Sequence, residues 1–319
     1  MTGPHVTSIR VPAMAWLEWN PGDDDFPRWS EARNVVGTTV RWTDPQVLYD
    51  RRTGNVPSIA GRGADTVMAW KGGGSDKHIW FSRLQRLPDA DPVGTQYVWG
   101  SQAPAGNGAF QTSDFPALIQ YHGRMFMFWK ATAATIADDH LAPMRWSELR
   151  GDTWVQPGDG PPFTAAWPID GIRTEDGVAV AEHQGKLYVA WRHVSSGDIL
   201  LRIYDGTSWQ SHSIPFADGR VTSKVPALVS DGTHLYMAWR NVPDDHISWS
   251  TMEGQPQVLD DRRTAGSPAL GLTDRGIVMV WVGGSGNTLW WSQFRNGQWS
   301  GQQPFTDRHM NLDLRVSLA

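Results

Sequence analysis

The chain contains no cysteine. Disulfide scaffolding, thiol catalysis and cysteine-ligated metal are therefore excluded. Charge of one sign is also lacking, since 28 Lys and Arg stand against 33 Asp and Glu, a formal net charge of −5 over 319 residues. Without a basic stripe, nucleic acid is not an expected partner. No run of 18 apolar residues occurs, and Met1 to Trp16 shows no basic segment followed by an apolar one. The chain reads as soluble, without signal peptide or membrane insertion; secretion and cytoplasmic residence both stay open, as does the oligomeric state. Walker, dinucleotide, His-Glu-x-x-His and nucleophile-elbow patterns are missing. No cofactor or metal is expected.

What is plentiful is tryptophan, 19 residues beside 33 glycines and 21 prolines, a balance that favours short strands and turns over helices. One segment recurs: Val67-Met68-Ala69-Trp70-Lys71, Phe126-Met127-Phe128-Trp129-Lys130, Tyr188-Val189-Ala190-Trp191-Arg192, Tyr236-Met237-Ala238-Trp239-Arg240, Val278-Met279-Val280-Trp281 and the shorter Met14-Ala15-Trp16. The anchoring Trp falls at steps of 54, 59, 62, 48 and 42 residues, near the unit length of propeller blades. Aromatic-Ser follows each anchor at Trp29-Ser30, Phe81-Ser82, Trp146-Ser147, Trp249-Ser250 and Trp291-Ser292, with Leu201-Arg202 as the degenerate copy. In five copies, Pro57, Pro116, Val178, Pro226 or Pro268 stands 13 residues before the anchor, and a Thr four residues before that.

These marks predict strand A after the Pro, strand B at the anchor, strand C at aromatic-Ser and strand D after turns such as Asn296-Gly297. The fold expected is all-β, one six-bladed β-propeller domain over 1–319 with four-stranded antiparallel blades. Blades 2 to 6 are expected at about 54–104, 113–168, 175–218, 223–261 and 265–306, and blade 1 at about 5–50 plus 309–319. Blade 1 has no strand A of its own in this register, whereas Asp307-Arg308-His309 echoes Asp261-Arg262-Arg263. The C-terminus is therefore expected to supply that strand and close the ring, leaving no free edge. A competing register takes Val11-Pro12-Ala13-Met14 as strand A.

The A-to-B spacing is constant while the B-to-C and D-to-A connections vary in length, so function is expected on the face that carries the latter two. Three constellations fall there. The first joins each anchor to the next basic residue and a turn Asp: Trp70, Lys71, Asp76; Trp129, Lys130, Asp139; Trp191, Arg192, Asp198; Trp239, Arg240, Asp245. An aromatic face beside charged hydrogen-bonding groups suits a sugar ring, although the same Trp can serve as a key between blades. The second is Asp76 with His78, Asp138 with His140 and Asp244 with His246, a metal or proton-transfer pattern that also fits a turn-stabilising Asp. The third precedes strand A: Arg52, Arg173 and Arg263, with Thr53, Thr112, Thr174, Thr222 and Thr264. Arginines converging on an axial funnel would hold a carboxylate; the plainer alternative is a ring of hydroxyls satisfying backbone groups.

The repeat of apolar-Ala-Trp-Lys/Arg, turn Asp and aromatic-Ser resembles microbial six-bladed β-propeller lectins of the fucose-binding and tectonin-like groups over nearly the whole chain. The resemblance implies glycan binding in pockets between adjacent blades, each using Arg, Glu and Trp, whereas the acidic partner here is Asp. Sialidase-type propellers are a weaker likeness, carried by Arg10-Val11-Pro12 and one partial Asp-box, Asp205-Gly206-Thr207-Ser208-Trp209. No Tyr nucleophile with Glu partner and Asp acid/base can be placed. Two functions follow: a lectin-like propeller binding a glycan or other small polar ligand at several similar sites, or an enzyme with one site in the central funnel, such as a sialidase-like glycoside hydrolase.

Overall fold

In five copies the residue that follows the strand-A opener pairs with the residue before the anchor tryptophan. The pairs are Ser58 with Ala69, Ala117 with Phe128, Ala179 with Ala190, Ala227 with Ala238 and Ala269 with Val280. The constant spacing is thus one hairpin register used five times, and that register keeps the anchor on the same side of every blade. The computed structural model describes residues 13–17, 26–34, 40–61, 63–86, 97–132, 142–155, 167–210, 214–216, 219–310 and 317–318.

Six antiparallel sheets make up a β-propeller. In blade 2 the strands run Ser58–Ala60, Val67–Lys71, Ile79–Arg86 and Tyr97–Trp99, with Ala103–Pro104 as a second outer segment. Blade 3 follows with Ala117–Tyr121, Arg124–Lys130, Pro143–Arg150 and Thr153–Val155, then Trp167–Arg173. Blade 4 is Ala179–His183, Lys186–Arg192, Ile199–Tyr204 and Ile214–Pro215, and blade 5 is Ala227–Ser230, Leu235–Arg240, His246–Thr251 and Gln257–Arg263. Blade 6 has Ala269–Thr273, Gly276–Val282, Thr288–Arg295, Gln298–Trp299 and Gln303–His309. Its two-residue turn, Asn296-Gly297, has φ of 50° and 80°, the doubly left-handed turn that matches strand twist and that Asn-Gly tolerates. Helix among the described residues is limited to two short 3₁₀ turns, Gly63–Asp65 and Ala105–Gly108, and no helix is long and apolar enough to cross a membrane.

Blade 1 consists of Ala13–Leu17, Pro27–Asn34, Val40–Trp42 and Gln46–Val47, and its innermost strand is Ser317–Leu318 from the far end of the chain. Met14 pairs with Leu318 and Ala15 with Ser317, so the C-terminal strand closes the ring. Ala13 and Met14 belong to strand B, which removes the competing register; Val11 and Pro12 lie outside the described residues.

The core lies between blades rather than within them. Each hydrophobic cluster draws on two neighbours: Trp70 packs in the seam of blades 1 and 2, Trp129 in that of 2 and 3, Trp191 in that of 3 and 4. Trp239, Trp281 and Trp16 fill the remaining three seams, the last joining blade 6 to blade 1. Burying a residue of this size on both faces is the main apolar gain per blade, and it requires the neighbour.

Four seams carry a further part. An arginine at the end of one blade's outer strand enters the next blade and lies over its anchor: Arg308 over Trp16, Arg51 over Trp70, Arg220 over Trp239 and Arg262 over Trp281, at 5.6 to 5.9 Å from the ring centres. The guanidinium is buried and donates to the strand-C Ser hydroxyl (Ser30, Ser82, Ser250) or to a carbonyl beyond it (Thr43, Gly100, Gly254, Ser300). Phe110, stacked on Trp129 at 4.6 Å, and buried Ile172 take the place in blades 3 and 4. In blade 4 the strand-C Ser is itself replaced by buried Arg202, opposite Val189. The degenerate Leu201-Arg202 copy thus belongs to the one seam where an apolar residue enters and the arginine comes from within.

Candidate functional site

Backbone bridges place Thr53 beside Gly72, Thr112 beside Ala131, Thr222 beside Asn241 and Thr264 beside Gly283. Four of the five threonines before strand A therefore sit next to the residue that follows the anchor's neighbour. The first and third constellations, separate in sequence, adjoin on one face formed by the B-to-C and D-to-A connections.

Trp70, Trp129, Trp191 and Trp239 are no more than 2 % exposed, so no anchor offers a ring face to a ligand. Their basic neighbours brace the blades. Lys130 is almost fully buried and donates to the Glu175 carbonyl of blade 4 at 2.6 Å. Arg240 donates to the Thr264 carbonyl of blade 6 at 2.9 Å and to Ser223 Oγ at 2.6 Å, and pairs with Asp245 as expected. Arg192 pairs with Glu175 and, at 3.4 Å, with Asp176, whereas Asp198 is held by its backbone, its carbonyl accepting the His193 N–H at 2.8 Å and its own N–H donating to Ser196 Oγ. Lys71 Nζ donates to the carbonyls of Gly72 and Gly74 at 3.2 and 3.3 Å. Asp139 lies outside the described residues.

The five threonines are buried, and their hydroxyls serve the backbone two residues on: Thr112 donates to the Asp114 carbonyl at 2.9 Å and Thr222 to that of Lys224 at 2.8 Å, with Thr53 and Thr264 alike and Thr174 accepting from the Asp176 N–H. Arg52, Arg173 and Arg263 are exposed and serve separate blades. Arg52 lies 4.9 Å over Phe26, Arg173 donates to the Ile172 carbonyl and Arg263 to the Asp244 carbonyl. Among the described residues, no shared partner joins these three guanidinium groups. The partial Asp-box is a turn in which Asp205 Oδ1 accepts the Thr207 and Ser208 N–H groups at 2.8 Å; as a C-to-D turn it lies on the opposite face. Arg10-Val11-Pro12 lies outside the described residues.

Two of the three Asp-x-His turns are described, since Asp138 and His140 fall outside. Asp244 accepts the His246 N–H at 3.2 Å and pairs with its ring; these bonds, the side-chain bond first, hold the exposed Asp244 carboxyl below the usual range. Asp76 does more. It accepts the His78 N–H at 3.0 Å, sits 2.6 Å from His78 Nδ1, and accepts the Trp80 indole N–H at 2.8 Å. Burial opposes its charge, but these bonds outweigh burial and hold Asp76 below the ordinary carboxylate range. Gly72 makes this possible, because a Cβ there would stand 2.1 Å from Asp76 Oδ2.

Trp80 was not among the sequence candidates. It is half-buried, opposite Trp70 in register, and near the loop-bearing end of strand C. Blade 6 repeats it with Trp290 opposite Trp281, packed over Gly283. The signal is legible: Trp80-Phe81-Ser82 and Trp290-Trp291-Ser292 each carry a second aromatic ahead of aromatic-Ser. A half-buried Phe26 and an exposed Tyr49 meet edge to face at 5.5 Å on the same face beside Arg52, with Tyr49 73 % exposed.

Nearest the axis, Asn55, Asp114, Asp176 and Lys224 each follow a buried Thr by two residues on blades 2 to 5. Asn55 Nδ2 donates to Asp114 Oδ1 across the seam at 2.8 Å. Burial, and then the Asp114 charge, push the Asp176 carboxyl up to about 6 against the weaker pull of Lys224 and Lys130. Arg192 reaches Asp176 only through Nε, at 3.4 Å, its Nη2 being taken by Glu175. Three residues further along each strand, Ser58, Ala117, Ala179 and Ala227 line an axial cavity of about 50 Å³, with Ile59, Leu118, Val180, Leu228, Leu270 and Leu318 as its aliphatic collar.

No family model and no curated protein matches the chain. Solved structures do. The Aleuria aurantia lectin, described as a six-bladed β-propeller with a novel fucose recognition mode, superposes with a TM-score of 0.53 at 12 % identity, covering 93 % of this chain and 95 % of that one. AofleA of Arthrobotrys oligospora gives 0.57 at 10 % identity, over 98 % and 89 %. TolB of Acinetobacter baumannii gives 0.54 at 13 % identity over 96 % of this chain and 66 % of that one. At such identities the likeness is one of fold, and the chain is a six-bladed β-propeller.

Proposed function

We propose that this propeller is a carbohydrate-binding, lectin-like protein that takes glycan on its loop-bearing face. The observation that carries the reading is Trp80, a half-buried indole whose N–H is fixed by Asp76, with the His78 ring held by the same carboxylate and Lys71 on the neighbouring strand, opposite Ile79. A rigid aromatic face stacks on the apolar C–H side of a sugar, and polar groups fixed at its rim meet the hydroxyls, at little entropic cost. Trp290 offers a second indole at the same register in blade 6, and Tyr49 with Phe26 a third aromatic surface. Likeness in fold to a fucose-binding lectin along almost its whole length makes fucosides the first glycans to try.

Screening the chain on a glycan array that includes fucosides, then titrating the best binder, tests this. Trp80→Ala should lose one site while melting as the wild type does. A panel without any binder, or a titration unchanged by Trp80→Ala, Trp290→Ala and Tyr49→Ala together, would sink the reading.

A further inference from the structure

The axial mouth plays no part in that reading. Its rim is of mixed charge, arranged in order around the ring: the amide of Asn55, the carboxylates of Asp114 and Asp176, then the ammonium of Lys224. Asp176 interacts with Asp114 on one side and Lys224 on the other. Behind the rim, Lys130 is turned to the Glu175 carbonyl and Arg192 to the carboxylates of Glu175 and, at 3.4 Å, Asp176. The cavity below, about 50 Å³, has room for one or two water-sized groups at roughly 30 Å³ each, so a sugar ring cannot enter but a compact charged head can seat at the rim.

A lone cation at this rim would meet Lys224 and Lys130, and a lone anion would meet Asp114, Asp176 and Glu175. Opposite charges a few ångströms apart in one molecule meet neither penalty. We propose that the axial mouth binds a small zwitterion, its ammonium toward Asp114 and Asp176 and its anionic end toward Lys224, as in an α-amino acid. The site is independent of the sugar-binding face. Binding through Asp176 requires its ionised form, which burial and Asp114 disfavour below about pH 6. The charged groups around it are Asp114, Glu175, Lys130, Arg192 and Lys224.

The test is calorimetric or NMR titration of the full chain with glycine, β-alanine and serine, and with methylammonium and acetate as single-charge controls. A zwitterion should bind near neutral pH, with both controls weaker by about tenfold or more, the cost of losing one charged hydrogen bond. Its affinity should fall at about pH 5, where Asp176 is protonated. Asp176→Asn and Lys224→Gln should each abolish binding, and Trp80→Ala should leave it intact. If Asp176→Asn lowers the melting temperature, Lys224→Gln carries the test. Methylammonium or acetate binding as well as the zwitterion, binding indifferent to Lys224→Gln, or no saturable binding by any of the three zwitterions overturns the proposal, whatever the glycan array shows.

Discussion

Arg308 lies over Trp16, its guanidinium carbon 5.6 Å from the ring centre, and so ties the last outer strand of the chain to its first anchor. Arg308 Nη2 donates to Ser30 Oγ at 3.1 Å and to the Thr43 carbonyl, while Nη1 meets Asp307 at 2.7 Å. Removing the side chain takes a charged donor from Ser30 Oγ and the Thr43 carbonyl, which keep their bond to each other at 2.6 Å, and empties the seam where the ring closes. Arg308→Ala should cost about 2 to 4 kcal/mol in urea denaturation, whereas the exposed Arg295→Ala should stay within about 0.5 kcal/mol. Equal costs for the two would show that the seam does not depend on Arg308.

Closure has a second part that can be separated from the first. Gly271 lies so near the C-terminal strand that a Cβ there would stand 2.9 Å from Leu318 Cβ. Gly271→Ala should therefore destabilise by about 1 to 3 kcal/mol, as overpacking does. In a chain ending at residue 316 the same substitution should cost nothing further. Melting temperatures should fall in the order wild type, chain lacking 317–319, chain lacking 307–319, because the last loses Arg308 as well as the strand. A Gly271→Ala penalty that persists after the truncation would place the clash elsewhere.

Anchor and platform tryptophans should part company. Trp239 is 2 % exposed and fills the seam of blades 4 and 5, so Trp239→Ala should lower stability by about 3 to 5 kcal/mol. Trp80 is half-buried at the edge of its cluster, and Trp80→Ala should act on glycan affinity with a much smaller effect on the unfolding midpoint. Thermal melts and glycan titrations of both variants check this.

Two carboxylates should give opposite pH dependence. Asp176 is raised to about 6 from an unfolded value near 3.9, so it favours the fold while protonated and stability is lost as pH rises between the two. Asp176→Asn should accordingly gain on the wild type above about pH 6 and not below about pH 4. Asp76 is held low, so its contribution is present above the unfolded value and is lost as pH falls through the folded one. Asp76→Asn should cost stability at neutral pH and progressively less in acid. Urea midpoints across this range, with a chemical-shift titration of the Asp176 carboxyl, would expose an error in either sign.

Much of the architecture is written locally. The steps between anchors, the 13-residue gap from Pro57 to Trp70 and its four copies, and turns such as Asn296-Gly297 are short-range constraints, and hairpin register follows from them. The echo of Asp261-Arg262-Arg263 in Asp307-Arg308-His309 carried ring closure as well, because a repeat displaced to the far terminus can complete only the first blade. The buried clamp arginines Arg51 and Arg262 stand next to the exposed Arg52 and Arg263, and the letters alone do not tell the two kinds apart. Adjacent residues of an extended segment point opposite ways, and which way is inward depends on the neighbouring blade.

By itself the sequence determined the number of blades, the strand order within each and the face that carries variable loops, since these rest on periodicity along the chain. Only the tertiary structure decided which aromatics face solvent and which charges meet. The anchors recur because every seam must be filled, so their repetition marks packing. Trp80 carries a local mark ahead of Phe81-Ser82, but the Asn55, Asp114, Asp176 and Lys224 rim is brought to the axis by the closing of the ring, across separations that no local pattern encodes.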